Sequence, residues 1–276
     1  MPARLDDKVA VITGATAGIG RALSQTFCER GAKVIGMARR PEPGAELEAA
    51  LDGSFRFVAG DASITDDCVR AVHVAMEKHG RVDLLINNAG YSLPLARVEA
   101  ITDDHLDAIM GVTFKSCFAM CRTTLPIMQR QRTRMILNFA TFAGVKTLSH
   151  MNAYGAAKAA VIHLTKVIAV ENRDAGIRAN ALVVGSVGTE QSRDAGLEMA
   201  KIVRGPDFVP DLTRPPNAFD SARMKPEAVA RATAMLCDDD AAELTGAVVA
   251  IDRGFSAGWL ASTALLLRSG QLIQEA

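Results

Sequence analysis

A tyrosine and a lysine four positions apart are the residues of this chain best suited to acid–base chemistry. Tyr154 and Lys158 belong to the run Ala153–Ala159, and side chains at this spacing share one face of a helix. An ammonium about 4 Å from a phenolate stabilises it by roughly 4 kcal/mol at an effective dielectric constant of about 20. The pair therefore predicts a proton donor with a lowered pKa. The same spacing also occurs by chance on exposed helices.

A glycine-rich turn near the start of the chain predicts a nucleotide-binding element. The apolar run Val9–Ile12 has the pattern of a buried strand, the turn that follows reads TGATAGIG over residues 13–20, and Arg21–Arg30 has helical spacing. Glycines let the backbone turn sharply beside a pyrophosphate, and free N–H groups at a helix start face its charge. The order of strand, turn and helix therefore favours a dinucleotide cradle over a glycine turn without a ligand.

The pattern of apolar residues predicts a single doubly wound α/β domain over residues 1–276, with a mostly parallel sheet. Further strands are predicted at Lys33–Met37, Phe55–Val58, Val82–Ile86, Met135–Phe139, Arg178–Val184 and Ala247–Asp252. Helices are predicted at Asp66–His79, Asp104–Gln131, Asn152–Arg173 and Pro226–Cys237. The strands are almost continuously apolar, which indicates a sheet covered on both faces.

The charge balance argues against a polyanionic partner. The chain has 31 basic and 31 acidic residues, so no overall field favours nucleic acid or an anionic membrane surface. The basic run Arg130–Arg134 is the exception. It is typical of cations that complement a helix C-terminus, while docking of an acidic carrier or a phosphate-bearing substrate arm is the alternative.

Cysteine and histidine usage predicts a cytoplasmic protein without a metal site. The five cysteines form no C-x-x-C pair, and the five histidines have no ligand spacing. No signal peptide is evident and no continuous apolar run reaches the ~18 residues of a membrane span. We expect the cysteines to be small core residues.

At this point the chain resembles the short-chain dehydrogenase/reductase family, in its single-domain branch, over roughly residues 6–258. The resemblance is carried by five motifs in the family's order. These are Thr13-Gly14-x-x-x-Gly18-Ile19-Gly20, Asp61, Asn87-Asn88-Ala89-Gly90, Tyr154-x-x-x-Lys158, and the segment from Gly185 to Thr189.

The resemblance implies a nicotinamide cofactor and a role for each matching residue. The cofactor cradle would comprise Thr13, Gly14, Thr16, Gly18, Ile19 and Gly20. Asp61 and Ala62 would contact the adenine, Asn88, Ala89 and Gly90 would line the cofactor floor, and Val187 and Thr189, after Gly185, would hold the nicotinamide amide. Tyr154 would lie beside the cofactor and Lys158 would bind its ribose. The positive charge of an oxidised nicotinamide would help Lys158 to lower the pKa of Tyr154.

The end of the second predicted strand favours NADP(H). Family members that bind NAD carry an acidic residue where this chain has Ala38, and Arg39 follows it. Without a carboxylate to repel it, a 2′-phosphate would pair with the Arg39 guanidinium. The glycine turn adds no second cation, because Ala17 stands where many NADP-binding relatives have Arg or Lys.

Two polar positions depart from the family pattern. Thr141 stands in place of the serine that orients the substrate, and it keeps a hydroxyl that can donate to a carbonyl oxygen. Thr113 replaces the asparagine that holds a water in the proton path from the lysine. A threonine hydroxyl can hold a water but lacks the two donors of an amide, so we expect proton resupply to be slower or routed differently.

The implied activity is hydride transfer between NADP(H) and a hydrophobic ketone or its secondary alcohol, with Tyr154 as acid/base, Lys158 lowering its pKa, and Thr141 and Thr113 as polar partners. A nucleotide-binding scaffold or regulatory protein with weakened catalysis remains an alternative. So does a reductase of an imine, an activated alkene or a carrier-bound 3-oxoacyl group.

The C-terminal third of the chain predicts how substrate and neighbouring subunits are contacted. Regular periodicity fades over residues 190–225, where prolines interrupt the chain, and this segment is the expected substrate lid. Its charges cancel and its apolar residues favour a neutral, hydrophobic small-molecule substrate. A tail at 259–276 carries the apolar run Ala264–Leu267, which would pack on another subunit. We expect a homotetramer, with a dimer as the fallback.

Overall fold

The computed structural model of this chain describes residues 4–132, 134–209 and 223–257. The tail expected at 259–276 and residues 210–222 of the expected lid lie outside this part of the chain. The described residues include every position expected to bind the cofactor or take part in catalysis.

Seven parallel strands form a sheet in the order β3-β2-β1-β4-β5-β6-β7. The strands are β1 (Val9–Thr13), β2 (Lys33–Ala38), β3 (Phe55–Ala59), β4 (Leu84–Asn87), β5 (Arg134–Thr141), β6 (Ile177–Val184) and β7 (Val248–Ile251). The strand order reverses direction between β1 and β4. In open α/β sheets a ligand crevice lies outside the carboxyl ends of the strands at such a reversal.

Helices cover both faces of the sheet, which confirms the predicted doubly wound architecture. They are α1 (Gly18–Glu29), α2 (Pro41–Ala50), α3 (Thr65–His79), α4 (Asp103–Met110), α5 (Ser116–Gln131), α6 (Asn152–Glu171), α7 (Glu190–Arg204) and α8 (Pro226–Leu236). One core layer packs α1 and α8 against the sheet around Phe27 and Val229. The other packs α3, α5 and α6 around Val72, Met120 and Val161. The strands are apolar on both faces of the sheet because a layer of helices packs against each face.

The helix expected at Asp104–Gln131 is interrupted. Between α4 and α5, residues Gly111–Lys115 form one turn of π-helix. A π-turn inserts one residue into the helical repeat and often occurs at functional sites, because it changes the direction of the side chains that it carries. Here it carries Thr113, which is buried.

The loss of periodicity expected over residues 190–225 is wrong for the first part of that segment. Residues Glu190–Arg204 form the regular helix α7. Its start is fixed by Thr189, whose side chain accepts a hydrogen bond from the Ser192 amide at 3.2 Å. An N-cap of this kind contributes about 1 kcal/mol to a helix. The apolar pattern was a poor guide because α7 has little packing surface: of its side chains in the described structure, only Ala195 is buried.

The cysteines are free thiols, and four of the five are buried. Burial raises the pKa of Cys68 to about 11 and that of Cys237 to about 12, so both remain protonated near neutral pH. The expectation that these residues belong to the core is confirmed for all except Cys28, which is half-buried.

Among the described residues, one helix is long and apolar enough to cross a membrane by length and composition alone. This is α6, with a mean hydropathy of 1.3 over its apolar stretch. Half of that stretch is buried inside the fold, against β5 and β6. A core helix of an α/β domain has the same composition, so the finding is weak evidence for a membrane span.

Candidate active site

The glycine-rich turn after β1 has the close backbone packing that a cofactor cradle requires. Gly14 and Gly18 have φ values of +65° and +49°, in the left-handed region that favours glycine. A Cβ on Gly20 would overlap the carbonyl oxygen of Gly14 and lie 2.7 Å from Asn88 Nδ2. Only glycine fits at position 20 without a shift of the backbone.

The start of α1 is open to an anion. Its N-cap, Ala17, is extended, and no side chain in the described structure caps the helix. The first turn of α1 also lacks acidic residues. The first N–H groups of the helix therefore remain available for a phosphate, and the helix dipole favours that charge. The residues present fit the pyrophosphate of a dinucleotide.

Side chains from two neighbouring strand ends hold the cradle in place. Thr13 Oγ1 accepts hydrogen bonds from the amides of Asn88 at 3.1 Å and Ala89 at 3.0 Å. In return, Asn88 Nδ2 donates to the carbonyl oxygens of Thr13 at 3.0 Å and Gly14 at 3.3 Å. The structure therefore brings the glycine turn and the Asn88–Gly90 floor together, as the sequence predicted.

The β6–α7 connection approaches the same cradle from the other side. A Cβ on Gly18 would lie 2.9 Å from Thr189 Cγ2, so Thr189 lies against the glycine turn. Val187 is buried and pairs with Met224 in an isolated parallel bridge. At Gly185, an added Cβ would lie 2.8 Å from the Cβ of Asp252. The residues expected to contact the nicotinamide amide are thus positioned by the end of β7 and by Met224.

The end of the crevice where adenine is expected combines an acid and a cation. Asp61 Oδ1 accepts hydrogen bonds from the amide and the hydroxyl of Ser63, at 2.8 and 2.7 Å. Arg39 Nη1 lies 4.0 Å from Asp61 Oδ2, and the Arg39 side chain is 69% exposed. The guanidinium is held loosely beside the end of β2, where Ala38 leaves it without a neighbouring carboxylate on its own strand.

Tyr154 and Lys158 lie one helical turn apart near the start of α6. Lys158 is buried, and its Nζ donates to the carbonyl oxygen of Phe139 at 2.6 Å. The same Nζ lies 5.8 Å from the centroid of the Tyr154 ring. A Cβ on Gly90 would lie 3.1 Å from it. The ammonium therefore lies between the tyrosine and the cofactor floor, where a side chain at position 90 would obstruct it.

In the protein without a cofactor, the pKa of Tyr154 is not lowered, and the expectation that Lys158 and an oxidised nicotinamide together lower it stays a prediction. Burial raises the pKa of Tyr154 to about 12, and it lowers the pKa of Lys158 to about 8. Burial favours the neutral form of each group. The sequence argument assumed a charge pair about 4 Å apart, whereas Lys158 is directed towards Phe139. Near neutral pH the tyrosine is accordingly a protonated phenol, which is the form that donates a proton.

Two glycines not identified from the sequence bring the Thr141 segment against α6. Thr141 ends β5 and is followed by a 3₁₀ turn at Phe142–Gly144. A Cβ on Gly144 would lie 2.9 Å from Lys158 Cβ, and one on Gly155 would lie 2.8 Å from the Ala143 carbonyl oxygen. Both glycines permit close packing, which places the turn that follows Thr141 directly on the helix of Tyr154.

Thr113 lies near the Tyr154–Lys158 pair, but its hydroxyl already forms hydrogen bonds within the protein. Its Oγ1 accepts from the amide of Tyr91 at 3.3 Å and donates to the Tyr91 carbonyl oxygen at 3.5 Å. It also lies 4.0 Å from the position of a Cβ on Gly90. Thr113 therefore holds the Tyr91 peptide, a role that the sequence did not indicate.

A buried amide network supports the strand ends beneath the site. Asn87 Nδ2 donates to Asn138 Oδ1 at 2.8 Å and to Cys121 Sγ at 3.3 Å, and Asn138 Nδ2 donates to Thr165 Oγ1 at 2.9 Å. Hydrogen bonds in the low-dielectric interior fix relative positions, because an unpaired polar group there is costly. The network joins β4, β5, α5 and α6, and sequence reasoning had identified none of these links.

Comparisons with known proteins agree with this geometry. The family model for the short chain dehydrogenases matches residues 8–199. A 3beta-hydroxysteroid dehydrogenase from Mediterraneibacter gnavus is 33% identical over 267 residues, covering 92% of this chain and 96% of the relative. The chain belongs to the short-chain dehydrogenase family and is an oxidoreductase of that family, so the predicted resemblance is confirmed.

Two solved structures are similar over nearly their whole length. A crystal structure of levodione reductase aligns with a TM-score of 0.82 at 27% identity and covers 92% of this chain and 99% of its own. A 3-ketoacyl-(acyl-carrier-protein) reductase from Brucella melitensis, complexed with NADH, aligns with a TM-score of 0.80 at 30% identity. It covers 91% of this chain and 99% of its own.

Proposed function

We propose that this protein is an NADP(H)-dependent oxidoreductase that interconverts a hydrophobic ketone and its secondary alcohol, with Tyr154 as the acid/base. The observation that carries the proposal is the Tyr154–Lys158 pair on one turn of α6, in which Lys158 is buried and Tyr154 is half-buried. A neutral phenol beside a buried cation is a suitable proton donor to a carbonyl oxygen.

Each residue of the site then has a defined task. The bound cofactor supplies the hydride. Tyr154 donates the proton to the carbonyl oxygen in reduction and accepts it in oxidation, Lys158 stabilises the phenolate that forms, and Thr141 donates a hydrogen bond to the same oxygen. The glycine turn and the open start of α1 bind the pyrophosphate, and Asn88–Gly90 hold the floor. The burial of Lys158 keeps its ammonium away from bulk water.

Replacing Tyr154 by phenylalanine tests the reaction class. We expect the variant to bind NADPH like the wild type and to lose at least about 10³-fold in kcat, since removal of a general acid typically removes a factor of about 10²–10⁴. Consumption of NADPH would be followed with a panel of hydrophobic ketones and diketones. Turnover that survives the substitution would contradict the proposal, and binding of NADPH without any turnover in the wild type would favour the scaffold alternative.

The preference for NADP(H) rests on Arg39. The end of β2 offers a loosely held guanidinium and no carboxylate of its own, which suits a 2′-phosphate. Asp61, 4.0 Å away, is the competing partner of Arg39. We expect Arg39→Ala to weaken NADPH binding by about tenfold or more and to leave NADH binding nearly unchanged. Arg40→Ala, at the exposed neighbouring position, is the matched control. Equal affinity of the wild type for both cofactors would refute the preference.

A neutral, apolar substrate is supported by the character of α7. Its side chains towards the C-terminal half include the partly exposed Leu197 and Ile202, and Phe142 follows Thr141 at the other side of the crevice. The 3beta-hydroxysteroid dehydrogenase relative has a name that fits an apolar alcohol. We therefore place hydroxysteroids and alicyclic ketones first in the panel of substrates.

A carrier-bound 3-oxoacyl group is the second candidate, because a similar structure is a 3-ketoacyl-(acyl-carrier-protein) reductase. Arg132 lies in the basic run that would contact an acidic carrier. Its Nη2, however, donates to the Asp174 carbonyl oxygen at 3.0 Å, which uses part of its binding capacity. Turnover of a 3-oxoacyl thioester that is faster on the carrier than on a free thioester would favour this candidate.

We further propose a cytoplasmic homotetramer that contacts its neighbours through α5 and α6. Both helices expose apolar side chains, with Phe118 43% and Val170 76% exposed. Association would cover them and give a reason for their exposure. Light scattering at micromolar concentration is the test, and a monomer would refute the assembly.

A further inference from the structure

The segment Tyr91–Ala96, which we name the strap, connects three parts of the active site that are distant in sequence. It follows the cofactor floor at Asn88–Gly90 and precedes α4. Hydrogen bonds tie it at its start to the π-turn, in its middle to α7, and at its end to the beginning of α6. These contacts do not follow from the family motifs, none of which includes Tyr91–Ala96.

Two side chains of α7 hold the middle of the strap. Glu198 Oε1 accepts a hydrogen bond from the Leu95 amide at 2.9 Å. Gln191 Nε2 donates to Ser92 Oγ at 3.3 Å. Ser92 and Leu95 are both buried, so the strap lies beneath α7. Leu95 offers its N–H to a carboxylate, and bonds to charged acceptors are about twice as strong as neutral ones.

These bonds matter for the position of α7 because the helix has little else to hold it. Among the side chains described for α7, Ala195 alone is buried. Hydrophobic packing of one alanine contributes little compared with the apolar faces of α1 or α5. If α7 moved away, the Leu95 amide would also lose its acceptor in a partly buried environment, which is unfavourable.

The end of the strap is fixed to the helix that carries the proton donor. The Ala96 amide donates to the His150 carbonyl oxygen at 3.1 Å, and Asn152 Nδ2 donates to the Ala96 carbonyl oxygen at 2.7 Å. Asn152 begins α6, and Tyr154 is two residues further on. At the other end of the strap, Thr113 holds the peptide of Tyr91.

We propose that Glu198 is a positioning residue that couples α7 to the start of α6 through the strap. In this arrangement, the closure of α7 over a substrate and the placement of Tyr154 occur together, and opening of α7 loosens the first turn of α6. The proposal rests on the proposed function only where it gives α7 and Tyr154 their roles. The hydrogen bonds that connect them are present in the protein without substrate. Glu198 acts through Leu95 and Asn152 and does not touch the reacting atoms.

Amide hydrogen exchange in the free protein tests the link without reference to turnover. The Leu95 amide reports the bond to Glu198, and the Gly155 amide, which donates to Met151 O at 2.8 Å, reports the first turn of α6. We expect Glu198→Ala to accelerate exchange at both amides by about tenfold or more, the factor expected from loss of one charge-assisted bond. Glu198→Gln keeps an oxygen acceptor, so its exchange rates should lie between those of the wild type and those of Glu198→Ala.

Matched variants separate coupling from general destabilisation. Asp194→Ala removes an exposed carboxylate from the same helix and should leave both amides unchanged, and amides of β1 serve as the reference for global unfolding. The proposal would be overturned if exchange became faster at Leu95 alone, or if it did not change at Leu95 or Gly155. It would also be overturned if the β1 amides accelerated equally, because that would indicate global unfolding. By reciprocity, Asn152→Ala should accelerate exchange at Leu95, and its effect should not add to that of Glu198→Ala.

A kinetic measurement extends the test once a ketone substrate has been identified. Glu198→Ala should raise KM for that ketone by more than about fivefold while the Kd for NADPH stays within about twofold, because Glu198 lies more than two helical turns from Thr189, the end of α7 that contacts the glycine turn. An equal loss of affinity for both would indicate a merely structural role. Failure of the proposed reaction would appear instead as activity retained by Tyr154→Phe, so the two hypotheses fail independently.

Discussion

The two sides of the crevice are held by different kinds of interaction. On the side of the glycine cradle, an added Cβ on Gly20 would overlap the Gly14 carbonyl oxygen, and the side chains of Thr13 and Asn88 bond to backbone groups of the facing segment. On the side of α7, the helix is held to the strap by two side-chain bonds between residues 99 and 103 positions apart, Ser92 with Gln191 and Leu95 with Glu198. The comparison indicates that the cradle depends on close packing that leaves no room for an added side chain, whereas the position of α7 depends on two hydrogen bonds.

The largest effect on stability and cofactor binding is expected from a substitution of Gly20 in the glycine turn. Gly20→Ala introduces a Cβ that overlaps the Gly14 carbonyl oxygen, a backbone atom that cannot swing away, and that also approaches Asn88 Nδ2. We expect a loss of about 3 kcal/mol or more in the free energy of unfolding, typical of severe overpacking, together with loss of NADPH binding. Chemical denaturation and a cofactor titration measure the two effects.

A second glycine provides the control for that substitution. Gly111 has φ −56°, and a Cβ there would make only an ordinary 3.6 Å contact with Ser63 Cβ. Gly111→Ala should therefore change the free energy of unfolding by less than about 1 kcal/mol. If Gly20→Ala lowered the free energy of unfolding no more than Gly111→Ala, the glycine turn could accommodate a side chain. The proposed difference between the cradle and α7 would then be wrong.

A smaller effect of opposite sign is expected at Lys158, where the two sides meet. Burial lowers the pKa of Lys158 from 10.5 to about 8, so the folded protein holds this ammonium at a cost near neutral pH. Lys158→Met removes that cost and also the bond to Phe139 O. We expect the variant to be more stable than the wild type by about 2 kcal/mol at pH 7 and to have no measurable turnover.

The pH dependence of this difference has a defined sign. Below pH 8 the lysine is charged in both states, so the wild type carries the full cost. Between pH 8 and 10.5 the unfolded lysine binds a proton that the folded one has lost, and the wild type gains stability relative to the variant as pH rises. Denaturant titrations of both proteins at several pH values from 7 to about 10 would check this, and a difference that is constant with pH would contradict it.

The features that could be predicted from the sequence are those that depend on residues close together along the chain. The fold, the glycine cradle and the Tyr154–Lys158 pair were predictable, because strand periodicity, glycine turns and spacing along one helix are local in sequence. The contacts of the strap were not, because its partners are distant along the chain, and α7 was not, because it buries little apolar surface. The burial that raises the pKa of Tyr154 also depends on the tertiary structure, so the spacing of Tyr154 and Lys158 did not indicate it.

The smallest effect on stability and activity is expected at Thr113. Thr113 bonds both groups of the Tyr91 peptide, at the start of the strap. Thr113→Val keeps the shape of the side chain and removes these bonds, so we expect a loss of about 1 kcal/mol in the free energy of unfolding. If Thr113 acts only by holding Tyr91, kcat should fall by no more than about fivefold, and Kd for NADPH should stay the same.

Thr124→Val is the matched control on α5. Thr124 is buried, and its Oγ1 has no hydrogen-bond partner within the described structure. Replacing an unsatisfied hydroxyl by a methyl group should be neutral or stabilising, in contrast to Thr113→Val. A fall in kcat of a hundredfold or more in Thr113→Val, with normal stability, would instead show that the hydroxyl lies in the proton path from Lys158. Thr113 would then belong with the catalytic pair, and the strap would be anchored by α7 and α6 alone.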